Sequence, residues 1–309
     1  MELLKKLCSL GGASGDELAV KKFLLNHIKT NQKNWKVQPA IIQGAGFQDC
    51  LILIFGRPKA AVFAHMDVVG FTAGYQRSLI KIGGPALVDG TKLTGKDSKG
   101  KINCEMMVID KEDGTRKIEY IFDREIDRGT NLTYKQFWKE NDKYVQSCYL
   151  DNRLGIWNAL KLAETLTNGA ICFSCFEEHG GGTAGYLARY LYDEYNVTSA
   201  LISDITWVTE GIEHGKGVAL SMRDGSLPPR RFVDQIIEWA KESKIPFQLE
   251  VENAGGSDGT AIQKSDAPVD WMFIGAPESN VHTPYETVHK KDILSMVKMY
   301  QYLMKKFHA

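Results

Sequence analysis

Residues 60–67 read Ala60-Ala61-Val62-Phe63-Ala64-His65-Met66-Asp67. Five apolar side chains in succession offer no polar face to solvent, the pattern of a strand covered on both sides. The run stops at His65, and Asp67 follows. The same arrangement recurs along the chain. An apolar run at 170–176 leads into Glu177-Glu178, a run at 199–205 carries Asp204 near its end, and a run at 269–274 precedes a loop holding His282. Helical periodicity separates these runs at 154–166, 184–195 and 231–244, and a closing amphipathic helix is predicted at 292–307. Strands alternating with helices predict an α/β fold: a mixed, mainly parallel sheet with helices on both faces. Ligands of open α/β sheets bind beyond the carboxyl ends of the strands. His65, Glu177, Glu178, Asp204 and His282 are therefore expected along one edge.

Outward from this frame the texture changes twice. Residues 1–30 have helical periodicity interrupted by Gly11-Gly12-Ala13-Ser14-Gly15, and Ser14 or Asp16 is predicted to cap a second helix through Val20, Phe23 and Leu24. Between 71 and 147 turn signals crowd in, among them Gly83-Gly84-Pro85, Asp89-Gly90 and Asp113-Gly114, with short alternating segments such as 117–122. This predicts a small β-rich, barrel-like insertion at 71–147 within a larger domain made of 1–70 and 148–309.

Lys+Arg and Asp+Glu both number 38, so the chain has no net charge, and no basic stripe points to nucleic acid. No apolar run approaches the roughly 18 residues of a membrane span. The first ten residues lack the apolar core of a signal peptide, so a cytoplasmic protein is expected. The six cysteines sit mostly in apolar contexts and are expected to be buried free thiols. Cys172 and Cys175 form a C-x-x-C, but inside a core strand, where residues three apart face opposite ways.

Asp151, just ahead of a predicted helix, completes a set of carboxylates and imidazoles suited to zinc, cobalt or manganese. Each member has a plainer reading. His65 could be a satisfied histidine at a strand end, Asp151 an N-cap, Glu177-Glu178 a solvated pair, Asp204 a turn residue, and His282-Thr283-Pro284 the start of a turn. All five together are harder to explain that way.

Six segments carry a resemblance. They are Ala64-His65-Met66-Asp67-Val68-Val69-Gly70-Phe71, Leu150-Asp151-Asn152-Arg153-Leu154-Gly155, Phe176-Glu177-Glu178, Ile202-Ser203-Asp204, Gly255-Gly256-Ser257-Asp258 and His282-Thr283-Pro284-Tyr285-Glu286. In this order they resemble the M42 family of metallo-aminopeptidases, also called glutamyl aminopeptidases and historically endoglucanases. The resemblance implies two divalent metal ions, with zinc the first expectation and cobalt or manganese the others. It implies that His65 and Asp204 hold one ion, Glu178 and His282 the other, and that Asp151 bridges them. Asp67 would orient His65, and Glu177 would be the general base. It further implies a cis peptide between Asp151 and Asn152, peptide substrates with a free N-terminus, and a homo-oligomer.

Two features depart from the family pattern: Asn152 stands where an aspartate is common, and His179-Gly180-Gly181-Gly182-Thr183-Ala184 is unusually rich in glycine. The glycines are expected to form an active-site wall. A structural role is expected for His179, with substrate contact as the other reading. Ser257-Asp258-Gly259 is expected to open a helix near the site. Competing functions are a carboxypeptidase or N-acyl deacylase of the same clan, a glycosidase using Glu177 and Glu178, and a non-catalytic binding protein. Adjacent glutamates are poorly placed for the roughly 5–5.5 Å separation of a retaining glycosidase, and the complete ligand set argues against loss of catalysis.

Overall fold

A computed structural model describes residues 1–308 of the chain. The apolar runs become the centre of a large mixed sheet. Gly169–Ser174, Ala60–His65, Ser199–Trp207 and Asp270–Ser279 lie side by side and parallel, in that order. Every residue of Ala60–His65 and Gly169–Ser174 is buried, as continuous apolarity requires of a strand covered on both faces. Leu51–Phe55 adds antiparallel on one side and carries Ala40–Ile42. On the other side Asp270–Ser279 pairs antiparallel with Val218–Arg223, which in turn carries the parallel strand Phe247–Val251.

Register brings the strand ends level. Ser174 pairs with His65, Asp204 pairs with Gly275, and Ile202 pairs with Phe63, so Asp204 and His65 stand two residues beyond that last pair at the same height. The helices Leu150–Ala163, Arg230–Ser243 and Lys290–Lys306 pack together on one face. Ala184–Tyr195 and Asp258–Lys264 form a second pair against the sheet. The helix Arg230–Ser243 shows why these pack: Phe232, Val233, Ile236, Ile237 and Ala240 recur on one side and all are buried. Each large member contributes about 1.5–3 kcal/mol.

A second, antiparallel sheet runs Leu79–Ile82, Gly70–Ala73, Asn131–Tyr134, Lys92–Asp97, Gly100–Asp110, Arg116–Ile121. A bridge between Ser78 and Glu119 joins its two edges, so it is barrel-like and nearly closed, around a core that includes Phe71, Leu93, Ile102 and Leu132. Trp138–Glu140 and Tyr144–Ser147 belong to the large sheet instead, joined to it through Glu286–His289. Among the described residues no helix is long and apolar enough to cross a membrane.

One cap differs from expectation. The second helix spans Leu18–Asn31 with Glu17 at its N-cap position, and no side chain caps it. Ser14 is turned elsewhere: its hydroxyl donates to Asp67 Oδ2 at 2.6 Å. The helix Asp258–Lys264 does open as expected, with the Ser257 hydroxyl accepting from Gly259 N. All six cysteines are buried and free.

Candidate active site

The level strand ends gather the expected side chains. His65 Nε2 lies 3.3 Å from Asp151 Oδ1 and 3.4 Å from Asp204 Oδ2. His282 Nε2 lies 3.3 Å from Asp151 Oδ2 and 3.1 Å from Glu178 Oε2. Each oxygen of Asp151 thus faces one imidazole. Glu177 Oε2 is 4.0 Å from His65 Nε2. Six of the seven sequence-predicted residues, His65, Asp151, Glu177, Glu178, Asp204 and His282, line one cavity.

The seventh, Asp67, lies beneath them and is fully buried. Its carboxylate accepts hydrogen bonds from Ser14 Oγ, Glu177 N and Glu178 N, at 2.6, 3.1 and 3.0 Å. It therefore fixes the turn that presents both glutamates. Its oxygen Oδ1 is 3.5 Å from His65 Nδ1, while its own carbonyl is nearer, at 3.2 Å. His65 is oriented by Asp67 through the main chain as well as the side chain. Phe176 makes the turn in the left-handed region, φ 64, and Glu17 Oε1 accepts from Phe176 N and Gly15 N.

The chain's own charges do not balance here. Asp151, Glu177, Glu178 and Asp204 face only two imidazoles. Burial pushes Glu178 up to about 7, helped by Asp151, and pushes Asp204 up to about 6 against the pull of His65. Glu177 is raised well above the usual carboxylate range by burial, an effect that outweighs the nearby His65. Burial would raise Asp151 too, but the imidazoles of His282 and His65 hold it well below that range. Burial opposes protonation of His282, yet Asp151 and Glu178 push it up to about 11. Glu178 Oε1 is buried with no hydrogen-bond partner. Ligand atoms about 2.0–2.2 Å from a tetrahedral ion stand roughly 3.3–3.6 Å apart. Three of the four imidazole–carboxylate separations, 3.3, 3.4 and 3.3 Å, fall at that spacing, and the fourth, His282 to Glu178 at 3.1 Å, is slightly shorter. His65, Asp151 and Glu178 alone place three ligand atoms within 4.8 Å of one another. The donor set fits divalent cations.

Two supporting residues brace the site through the main chain. Glu286 is 1% exposed; Oε1 accepts from His282 N at 3.1 Å and Oε2 from Asp151 N at 3.2 Å, so one side chain holds both backbones. Arg153 is fully buried and donates to the carbonyls of Met66, Leu10 and Gly11, which ties the His65 turn to the N-terminal loop. Both lay inside quoted segments, but nothing local marks a residue whose partners are distant main-chain atoms. The Asp151–Asn152 peptide is cis. Asn152 Nδ2 donates to Ser203 O at 2.9 Å, and Oδ1 accepts from Gly155 N. An aspartate there would have no donor for Ser203.

The glycine-rich segment behaves as expected of a wall, since Gly180 and Gly181 line the cavity. His179 takes the structural role, its Nδ1 accepting from Gly83 N at 3.1 Å. Gly83 has φ +70, and a β-carbon there would meet Glu178 O at 2.7 Å, so that turn needs glycine. Tyr134, in the smaller sheet, donates its hydroxyl to the His282 carbonyl at 2.9 Å. The smaller sheet thus helps hold one side of the site.

Comparison with known structures defines the class first. The chain superposes with a TM-score of 0.85 on a TET aminopeptidase from a marine-sediment thaumarchaeon, 19% identical, covering 99% of this chain and 96% of that one. It superposes equally, at 0.85, on an aminopeptidase of Desulfurococcus kamchatkensis, 20% identical, over 99% and 94% of the two chains. With the TET1 peptidase of Pyrococcus horikoshii, 22% identical over 98% of both chains, the score is 0.81. These likenesses establish the fold. Residues 80–299 match the family described as M42 glutamyl aminopeptidase, and the chain belongs to that family. It is accordingly a hydrolase, an aminopeptidase.

Proposed function

We propose that the chain removes N-terminal residues from peptides by a metal-dependent mechanism centred on a two-ion site. The observation that carries this is the position of Asp151, whose two oxygens each face a separate imidazole–carboxylate pair. His65 and Asp204 would hold one ion, Glu178 and His282 the other, and Asp151 would bridge them. Zinc is the expected metal, with cobalt or manganese as substitutes. Two bound ions supply a water of lowered pKa and polarise the scissile carbonyl.

Glu177 takes the proton of the attacking water at its carboxylate and returns it to the leaving amine. Its backbone is pinned by Asp67, so the carboxylate that moves the proton stays beside the ligand shell. Glu286 keeps Asp151 and His282 at fixed separation. The remaining carboxylates of the cavity offer partners for the substrate's free α-amine.

Of residues 71–147, the part in the smaller sheet we assign to an insertion serving substrate access and self-association; Trp138–Glu140 and Tyr144–Ser147, which pair into the large sheet, go with the catalytic domain. The TET1 peptidase of P. horikoshii can assemble into a tetrahedron or a large octahedral shell. Exposed Tyr75, Ile80, Val88 and Ile121 in this part of the chain support a homo-oligomer here too. Six buried free thiols support a reducing compartment, the cytoplasm.

The deciding assay is hydrolysis of free-amine and amine-blocked aminoacyl-p-nitroanilides, with chelator and then with restored metal. Chelator-sensitive release from the free-amine substrates alone is expected. Release from the amine-blocked substrates as well would show anilide cleavage that needs no free amine and overturn the aminopeptidase reading. Loss of the N-acyl group without p-nitroaniline release would favour a deacylase.

A further inference from the structure

The cavity, about 410 Å³, extends well past the ligand cluster. Thr206 lies two residues beyond Asp204 on the same strand, so it shares that face, about 6.6 Å further along. Its hydroxyl donates to Glu250 Oε1. Glu250, in the strand Phe247–Val251, is 2% exposed and lines the cavity, its carboxylate met only by the hydroxyls of Thr206 and Ser221 among the described residues. Glu252 and Asp224 line the cavity beside it, and Asp224 is 8% exposed.

Among the described residues no salt bridge reaches these three carboxylates, and Arg223 alone acts on one of them, Asp224, through its charge. Arg223 turns its Nε to the carbonyl of Asp224, not to the carboxylate. Lys264, exposed, is the one lysine among the lining residues. Nor are these carboxylates among the proposed metal ligands, so bound ions leave their charge standing.

Ile205, Trp207, Ala261, Phe273 and Val281 form the apolar part of the wall, beside the hydroxyls of Ser257 and Thr260. Trp207 is 37% exposed, and Gly255 packs against its indole, where a β-carbon would stand 3.3 Å from the ring. An indole face attracts a cation. A long basic side chain lays its methylenes on apolar walls and carries its charged head to acidic partners.

From this arrangement we infer that the cavity selects peptides whose N-terminal residue is lysine or arginine. The inference rests on the active-site reading above and names its substrate class. It reverses the charge implied by the glutamyl side chain in the family's description, because a glutamate there would face three carboxylates and a single lysine.

The test compares the metal-loaded enzyme on lysyl-, norleucyl- and glutamyl-p-nitroanilide. Norleucine has the linear alkyl stem of lysine without the ammonium, so the lysyl:norleucyl ratio in kcat/KM isolates the charge. A ratio of about 10 or more is expected at low ionic strength, falling toward unity in about 0.5 M salt as the charges are screened. Glutamyl substrate is expected to be the poorest. Glu252→Gln, at a half-buried position, and Asp224→Asn should each lower the ratio, and Lys264→Gln should raise it. Calorimetric titration of the metal-loaded Glu177→Ala variant, which does not turn them over, with lysinamide and norleucinamide reads the same preference in binding alone. A ratio of one or less, a preference for glutamate, or a ratio unmoved in both acidic variants overturns the inference. Folded, metal-loaded protein that hydrolyses none of the three removes the catalytic assignment itself, and this inference with it.

Discussion

Two sets of buried carboxylates divide the molecule. In the smaller sheet, the Asp97 side chain is wholly covered and Arg124 grips it with two nitrogens, at 2.5 and 2.9 Å. Lys99 N and Asp127 N complete its hydrogen bonds. The guanidinium holds Asp97 well below the usual carboxylate range. At the edge of the large sheet the position is reversed. Glu177, Glu178 and Asp204 are raised by burial, and below them Glu278 is raised too, with neither carboxylate oxygen partnered. Burying an unanswered carboxylate is costly, and folded proteins normally pair it or give it to a metal. The smaller sheet supplies its own cation from 27 residues away in sequence. The catalytic edge lacks one, which is the condition for taking cations from solution.

That contrast can be broken at several points. Removing metal should have the largest effect, abolishing hydrolysis and lowering Tm. A ligand at 100 times its Kd contributes about 2.7 kcal/mol to stability, so scanning calorimetry with and without chelator measures what the ions add. An unchanged Tm and rate would mean that the edge needs no cation.

Glu177→Ala should keep both ions and lose on the order of 10²–10⁴-fold in kcat, the usual contribution of general acid–base catalysis. Metal analysis beside steady-state kinetics separates the two effects, and equal loss of metal and rate would sink the base assignment. His65→Ala should reduce the bound metal from two ions toward one, read by elemental analysis, leaving the His282–Glu178 side partly occupied. Unchanged metal content would contradict its ligand role.

Asp97→Asn should act on stability alone, lowering Tm modestly with metal content unaltered. Because the folded-state pKa of Asp97 is depressed, its stabilising effect is fully present above the unfolded value of about 3.9. It is lost as pH falls through the folded value. The Tm difference between wild type and variant should therefore be constant near neutrality and shrink in acid. A difference that grows in acid would overturn the ion-pair account.

Much of this was legible along the chain, and the reasons are physical. Continuous apolar runs such as Ala60–Ala64 announce strands buried on both faces, and the side chains just past such runs fall at one edge. His65, Asp204 and the Glu177-Glu178 pair could be placed on that rule. The strands Val218–Arg223 and Phe247–Val251 were not foreseen. The second is only partly covered, and its burial pattern carries little of the contrast that marks a core strand. Ser14 reads as a cap from its neighbours alone, and its bond to Asp67 spans 53 positions.

By itself the sequence determined the order and type of the central elements, the turn-rich insertion and the residues able to bind cations, because periodicity and donor chemistry are local properties. The tertiary structure decided which of those donors meet, since register brings His65, Asp204 and Ser174 level, the start of the helix Leu150–Ala163 delivers Asp151 and a distant loop delivers His282. It alone disclosed that Glu286 and Arg153 brace the site through main-chain atoms. It also gathered Asp224, Glu250 and Glu252 at one wall. Their charges act together through distance in space, and one-dimensional spacing does not record that distance.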